Sequence, residues 1–406
     1  MEIRPILTAM RRNKYGALLI AIQMAVTLAF IANSFALIEQ RLAWSARPTG
    51  LDENNIFVIR SSNLGQHADV AARVDADLQG LRSLDGVVDA YVTNDYPFQG
   101  GGWSESVNLT ADQKIANAET AHYFGDDHAL NTLGVKLIAG RGFTPDEVAL
   151  RKDGDPPTTH VYIITKALAD KLFPAGDALG KSLYIEDSAR ASQVIGIVER
   201  LQGPYFAATG PFSTFADHSV LTPDRPISEF PRFMVRTQPK RLADVMKRAE
   251  QLLLNADADR IVKTQSMAQL RIDAYRGNHG LVVLLVSVCV ALLVVTAFGI
   301  IGLTSYWVTV RRQQIGIRRA LGATRLNIVR YFQTENLMIA AAGSASGVAL
   351  AIVLNVWMVS SFEMVPMQDS RALAGALLLV LLGQLAVFWP ARRAASIPPA
   401  LATRGG

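Results

Sequence analysis

Four stretches without a single charged residue constrain this chain more than any other feature. They are Ala17–Ile38, Leu281–Tyr306, Leu337–Val359 and Ala372–Trp389. At about 1.5 Å of rise per residue, a helix of roughly 20 residues crosses a hydrocarbon core of about 30 Å, and each stretch is of that order. Inside lipid the backbone must satisfy its own hydrogen bonds, so all four are expected to be helices. Composition agrees: only 18% of the 406 residues are charged, against about a quarter in an ordinary soluble domain. The first stretch has a basic flank (Arg11, Arg12, Lys14) and a tolerable cleavage site, Ser34-Phe35-Ala36, as a signal peptide would. Its apolar run is longer than the usual 7–15 or so residues of a signal segment, so it reads as an uncleaved anchor.

Charge orients the spans. Met1–Gly16, Ser305–Asn336 and Pro390–Gly406 together hold thirteen basic residues and two acids, while the rest of the chain holds 27 basic and 33 acidic residues. Both termini and Ser305–Asn336 are therefore expected to face the cytoplasm. Glu39–Asn278 and the short loop Ser360–Arg371 are expected outside. The basic balance belongs to topology, and no nucleic-acid partner is implied. The lone cysteine, Cys289, excludes an intrachain disulfide.

The outer block alternates two periodicities. Asn54–Arg60, Val161–Thr165, Lys181–Ile185, Ser192–Val198 and Arg232–Thr237 read as strands. Asp69–Leu84, Thr165–Phe173 and Arg241–Asn255 carry apolar residues at helical spacing. Thr264–Asn278 is expected to continue as helix into the second span, and the segment after Ile38 to extend the first. Loops fall at Gly100–Gly102, Gly154–Pro157 and Gly203–Pro211. The class is an α+β membrane protein: four transmembrane helices, with a large mixed α/β domain between the first and second.

Reaction chemistry is sparse. Pro174–Ser182, "PAGDALGKS", lacks the first glycine of a phosphate loop, and its lysine leads into a strand rather than a helix. It reads as a turn. The histidines show no metal-binding spacing, no nucleophile elbow is present, and no catalytic or metal-ligating set is expected. Within the spans, "GSASG" is a small-residue face at Gly343 and Gly347, suited to close helix packing within the chain or in a dimer. The absence of charge inside the spans argues against an ion path.

Arg311–Arg330, "RRQQIGIRRALGATRLNIVR", carries six arginines and no acid. The plain reading is topogenic charge. Its pattern goes further, because Ile315, Ile317, Ala320 and Leu321 interleave with Arg318 and Arg319 as a short amphipathic helix would. Gly322 is placed to end that helix and Thr324 to cap the next, in which Leu326, Ile328, Val329 and Phe332 form an apolar stripe. The result is a rigid knuckle between two spans, able to take a push from a soluble partner.

These residues resemble the signature of the FtsX-like permease domain, roughly R-x-x-E-I-G-I-R-x-A-L-G-A-[ST]-x-x-x-I with a glutamate near the start of the next span. Arg311, Ile315, Gly316, Ile317, Arg318, Ala320, Leu321, Gly322, Ala323, Thr324, Ile328 and Glu335 match, whereas Gln314 stands where the family has an acid. Trp389–Arg404 resembles that family's closing segment. Leu133–Glu147, Val161–Leu183 and Ser192–Val198 resemble the MacB-like periplasmic core.

The resemblance implies a permease subunit of a MacB-type ABC transporter in the bacterial inner membrane. It would be divided into 1–44 (first span), 45–278 (periplasmic core) and 279–406 (permease domain). The subunit would be non-catalytic and hold no cofactor. ATP and magnesium would be bound by an ATPase subunit on a separate polypeptide, since no Walker A loop is present here. Partners implied are that ATPase, a second permease in a homodimer or heterodimer, a periplasmic adaptor, an outer-membrane channel and the lipid bilayer. The residues carried over as the ATPase-coupling seat are Ile315, Gly316, Ile317, Arg318, Ala320, Leu321 and Gly322. Efflux by mechanotransmission is the leading expectation. The alternative is a signalling protein that acts on a periplasmic partner without expelling a substrate. A membrane-anchored enzyme has no supporting constellation.

Overall fold

The computed structural model describes residues 14–396 except 64–68, 112, 153–154, 156–159, 186–189, 258 and 363–368. The first thirteen residues, most of the Gly154–Pro157 loop, the middle of Ser360–Arg371 and the chain beyond Ser396 lie outside the described residues. In chain order the helices are α1 (Lys14–Ser45), α2 (Val70–Ser83), α3 (Ala129–Leu133), α4 (Lys166–Leu172), α5 (Leu242–Ala256), α6 (Met267–Val310), α7 (Arg312–Ala320), α8 (Arg325–Phe362) and α9 (Asp369–Ala395). The strands are β1 (Ile56–Asn63), β2 (Val87–Thr93), β3 (Ser104–Asn108), β4 (Ala118–Phe124), β5 (Leu137–Gly140), β6 (Ala149–Lys152), β7 (Val161–Thr165), β8 (Ser182–Ile185), β9 (Ser192–Val198), β10 (Ser219–Thr222), β11 (Asp224–Ile227), β12 (Arg232–Thr237) and β13 (Arg260–Ser266). The chain divides into a membrane unit, Met1–Ser45 with Asn278–Gly406, and an α/β unit, Ala46–Gly277.

Helices α1, α6, α8 and α9 are each long and apolar enough to cross a membrane. Ile20, Met24 and Leu28 of α1 share a core with Ile339 and Ala340 of α8 and with Leu379 and Val387 of α9. Close approach depends on missing side chains. A Cβ on Gly343 would lie 2.9 Å from the Ala21 carbonyl oxygen, and one on Gly347 would lie 3.0 Å from Ala25 Cα. The small-residue face of α8 is thus seated on α1 of the same chain. Polar side chains add cross-helix bonds. Asn33 Nδ2 donates to Ala351 O at 3.2 Å, Asn355 Nδ2 donates to Asn33 Oδ1 at 3.2 Å, and the Thr27 and Thr296 hydroxyls lie 3.0 Å apart.

Two sheets organise the α/β unit. The first is wholly antiparallel, in the order β13-β1-β12-β2. It follows a split β-α-β scheme: β1-α2-β2, then β12-α5-β13, with everything between β2 and β12 inserted. Alternate residues Phe57 and Ile59 of β1, Ala90 and Val92 of β2, and Phe233 and Val235 of β12 form one face. The apolar stripes of α2 (Val74, Leu78, Leu81) and α5 (Val245, Ala249, Leu253) cover that face. Asp69 caps α2, its Oδ1 accepting from Ala72 N at 2.9 Å.

The second sheet runs β5-β9-β7-β10-β4-β3-β8, and β8 also pairs with β9. That extra pairing closes the ring from β9 round to β8 and leaves β5, paired only with β9, as an edge strand. Val107, Tyr162, Ile164, Leu183, Val194 and Val220 fill its interior together with Leu168 and Leu172 of α4. A two-stranded parallel pair, β6 with β11, completes the unit. The turn "PAGDALGKS" leads straight into β8, and Lys181 pairs with Asp177 at 3.1 Å.

One expected helix is corrected. Thr264–Ser266 belong to β13, because Thr264 and Lys263 are in register with Ile59 and Arg60 of β1, and α6 starts only at Met267. Within the α/β unit, the start of α6 is held by Arg271, whose Nε and Nη2 donate to Glu53 at 2.7 and 2.6 Å. Tyr275 packs edge-on to Phe98.

Candidate functional site

The knuckle between α6 and α8 is a built structure rather than a flexible run of charge. Helix α6 ends at Val310, α7 follows from Arg312 to Ala320, and α8 begins at Arg325. Ile315 is 5% exposed and joins a core with Ile328, Val329 and Phe332 of α8 and Ala391, Ala394 and Ala395 of α9. Gly316 is buried beside it. One face of α7 is therefore seated on the bundle.

The exit from α7 is a Schellman turn. Ala323 N donates to Arg318 O at 3.0 Å and Gly322 N donates to Arg319 O at 3.2 Å, with Gly322 at φ +97°. Asn327 N then donates to Thr324 Oγ1 at 3.2 Å, which caps α8. No atom lies within 4 Å of a Cβ built on Gly322, so a substitution there is penalised by backbone strain alone. Replacing Gly322 with valine is expected to cost about 1–2 kcal/mol, and with asparagine, which tolerates the left-handed region, less. Thermal midpoints of the two purified variants check the order. Equal midpoints would mean the turn is not set by backbone conformation.

Beneath α7 lies a buried ion pair. Arg311 Nη1 donates to Glu335 Oε2 at 2.7 Å and Nη2 donates to Oε1 at 3.0 Å. The two side chains are 9% and 2% exposed. The fork-to-fork geometry is the strong form of this interaction. The guanidinium also lies 5.8 Å from the Trp307 ring centre, and Arg318 lies 4.9 Å from the Tyr331 ring centre. The pair ties the junction of α6 and α7 to the first turns of α8. Gln314 is exposed and lines a small pocket with Arg311, Arg318 and Tyr331. It lies three residues after Arg311 and four before Arg318, where an acid would neighbour both arginines on the helix surface. Glutamine keeps a hydrogen-bonding side chain there without the charge.

The residues predicted as a seat divide in two. Ile315 and Gly316 face inward. Ile317, Arg318, Ala320, Leu321 and Gly322 are exposed, Leu321 at 83% and Ile317 at 47%. Leu326 at the start of α8 is exposed beside them in sequence. The outer surface is thus a small apolar ridge with arginines around it. Sequence reasoning named both Arg311 and Glu335 but did not pair them. The signal was present: Ile328, Phe332, Glu335 and Ile339 recur at helical spacing, which puts a carboxylate on the buried stripe, and a buried charge requires a partner.

Among the described residues, no group of three or more His, Cys, Asp or Glu is placed to hold a metal ion. His122 is buried, and desolvation pushes its pKa down to about 3, so it is a neutral ring. Its Nε2 lies 3.0 Å from Thr222 Oγ1, within an edge-on aromatic group of Trp103 and Phe124. Trp103 N donates to Asp95 Oδ2 at 2.7 Å, and Gly102 before it packs against Pro204 and Asp95, while Gly100 and Gly101 are exposed. Arg260 with Asp77 and Arg151 with Asp224 are buried pairs between elements of the α/β unit.

Residues 286–399 match the FtsX-like permease C-terminal family, and residues 17–252 match the MacB-like periplasmic core domain family. The chain is 28% identical over 322 residues to the macrolide export ATP-binding/permease protein MacB of Chromobacterium violaceum, which covers 74% of this chain and 47% of that protein. It is 21% identical over 373 residues to the uncharacterized ABC transporter permease YknZ of Bacillus subtilis, which covers 90% of this chain and 88% of that one. The chain spans about half the length, or less, of the MacB relatives it matches. A solved periplasmic region of MacB from Actinobacillus actinomycetemcomitans aligns with 53% of this chain and 90% of its own, at 16% identity and a TM-score of 0.32.

Proposed function

The chain belongs to the MacB-like ABC transporter permease family, and from that premise we propose that it is the membrane subunit through which a separate ABC ATPase drives a periplasmic domain and extrudes a substrate. The observation that carries this reading is the two-sided α7. Its inner face is fixed to the bundle by Ile315 and by the Arg311–Glu335 pair, while Ile317 and Leu321 remain exposed on its outer face.

A partner pressing on that ridge moves a rigid body, because α7 is bounded by a capped turn on one side and by the ion pair on the other. The push passes to α6, one helix from Met267 to Val310. The coupling is mechanical, so no conduit lined by charge is required. In this reading ATP and magnesium belong to the ATPase, and the permease pairs with a second permease. Both termini and α7 lie in the cytoplasm, and an adaptor with an outer-membrane channel receives what is extruded.

The test is reconstitution with the cognate ATPase. Ile317→Glu/Leu321→Glu is expected to reduce permease-stimulated ATP hydrolysis and ATPase co-purification by about tenfold or more, since charge is placed in a desolvated apolar contact. Both residues are exposed, so folding should be unaffected. Arg318 is a poorer probe because it lies over Tyr331. Unchanged stimulation in the double variant would remove α7 as the seat.

A further inference from the structure

The membrane unit holds a second feature, a cleft of about 320 Å³ lined by Ser305, Val308, Thr309, Arg312, Pro390 and Arg393. It lies between the end of α6, the start of α7 and the end of α9. Arg312 and Arg393 are both exposed, and among the described residues neither has a carboxylate within ion-pair distance. Two hydroxyl side chains share the lining, with Thr309 Oγ1 donating to Ser305 O at 3.0 Å. Pro390 sits inside α9 and cannot donate the helical bond to residue 386.

The flanks of the cleft are apolar and exposed: Tyr306 and Val310 on α6, Leu385 and Trp389 on α9. Two guanidinium groups and the Ser305 hydroxyl, at the ends of helices that otherwise face hydrocarbon, suit one kind of occupant. We propose that this cleft binds the phosphate of an anionic phospholipid, with the acyl chains lying along α6 and α9. Guanidinium groups bind phosphate oxygens with paired, charge-assisted hydrogen bonds. Basic pockets between membrane helices favour anionic headgroups over zwitterionic ones. The site is distinct from the ridge of Ile317 and Leu321, and the inference does not depend on an ATPase binding there.

The test uses the full chain in phosphatidylcholine nanodiscs containing a minor fraction of phosphatidylglycerol, with retained lipid counted by native mass spectrometry. The wild type is expected to retain phosphatidylglycerol in preference to phosphatidylcholine. R312Q/R393Q is expected to lower that retention about tenfold. R325Q/R330Q, which removes the same charge from exposed positions outside the cleft, should leave retention unchanged. If the control lowers retention as much as the cleft variant, or if the cleft variant retains the lipid as the wild type does, the proposal fails. Inorganic phosphate titrated into phosphatidylcholine nanodiscs should leave the thermal midpoint unmoved. A shift abolished by R312Q/R393Q would assign the cleft to free phosphate and overturn the lipid assignment. Should R312Q/R393Q not fold, the single variants R312Q and R393Q decide on the same count.

Discussion

Glu335→Leu is expected to destabilise the membrane unit by about 3–5 kcal/mol, because it leaves a guanidinium buried without its counter-charge. Arg311 is 9% exposed and makes both of its short contacts with this carboxylate. The companion change, Arg311→Met, strands the carboxylate instead and should cost a similar amount. The double variant Arg311→Met/Glu335→Leu removes both charges and fills the space with apolar atoms, so it is expected to recover most of the loss. Trp307 lies against Arg311, and in a background with the other four tryptophans replaced its fluorescence is a local reporter of unfolding in detergent. If the double variant is as unstable as the singles, the pair is not the source of the cost. A stable double variant with weakened ATPase stimulation would separate the two roles of the pair. The charges would then be needed to transmit force rather than to fold.

Gly343→Leu/Gly347→Leu should be the most damaging change within the spans. The Cβ atoms alone would press on the backbone of Ala21 and Ala25 at 2.9 and 3.0 Å, and backbone cannot move aside as a side-chain tip can. Overpacking of a close helix crossing costs about 1–3 kcal/mol per site, so the pair is expected to separate α1 from α8. Separation would also break the Asn33 bonds to Ala351 and Asn355, leaving polar groups unsatisfied in hydrocarbon. Cysteines introduced at Ala32 of α1 and Ala351 of α8, which share a buried cluster away from the glycines, should crosslink in an otherwise unchanged protein and lose that crosslink in the leucine variant. Retained crosslinking with full stability would place this face elsewhere, against a second copy of the chain.

Much of the fold was legible along the chain, and the misses are as physical as the successes. Strands β7, β9 and β12 coincide with the expected segments because they are short runs of apolar and β-branched residues with buried faces. β3, "SESVN", was missed because Val107 is its only fully buried residue, so nothing local marks it as a strand. β11 contains Pro226 and pairs only with β6, at a position where a missing N–H is tolerated. The end of β13, Thr264–Ser266, reads as the start of a helix along the chain because Thr264, Gln265 and Ser266 have no strong local preference. Their pairing with β1 decides the matter.

The segment from α7 to the start of α8 shows the same division. Gly322 and Thr324 were readable as the end of one helix and the start of the next, since caps act within a turn of the residues they serve. Which face of α7 is buried was not readable, because Ile315 and Ile317 are alike in sequence and only the packed ends of α8 and α9 tell them apart.

By itself, then, the sequence determined the spans, the signature knuckle and the alternation of the α/β block. Hydrophobic burial and capping are set by residues a few positions apart, so they can be read in a line. Only the tertiary structure decided that Arg311 meets Glu335, that Gly343 and Gly347 rest on α1, that β8 closes a ring with β9, and that Arg312 and Arg393 line one cleft. Each of these depends on groups brought together from distant parts of the chain, and their cost or benefit exists only once the rest of the protein has excluded water around them.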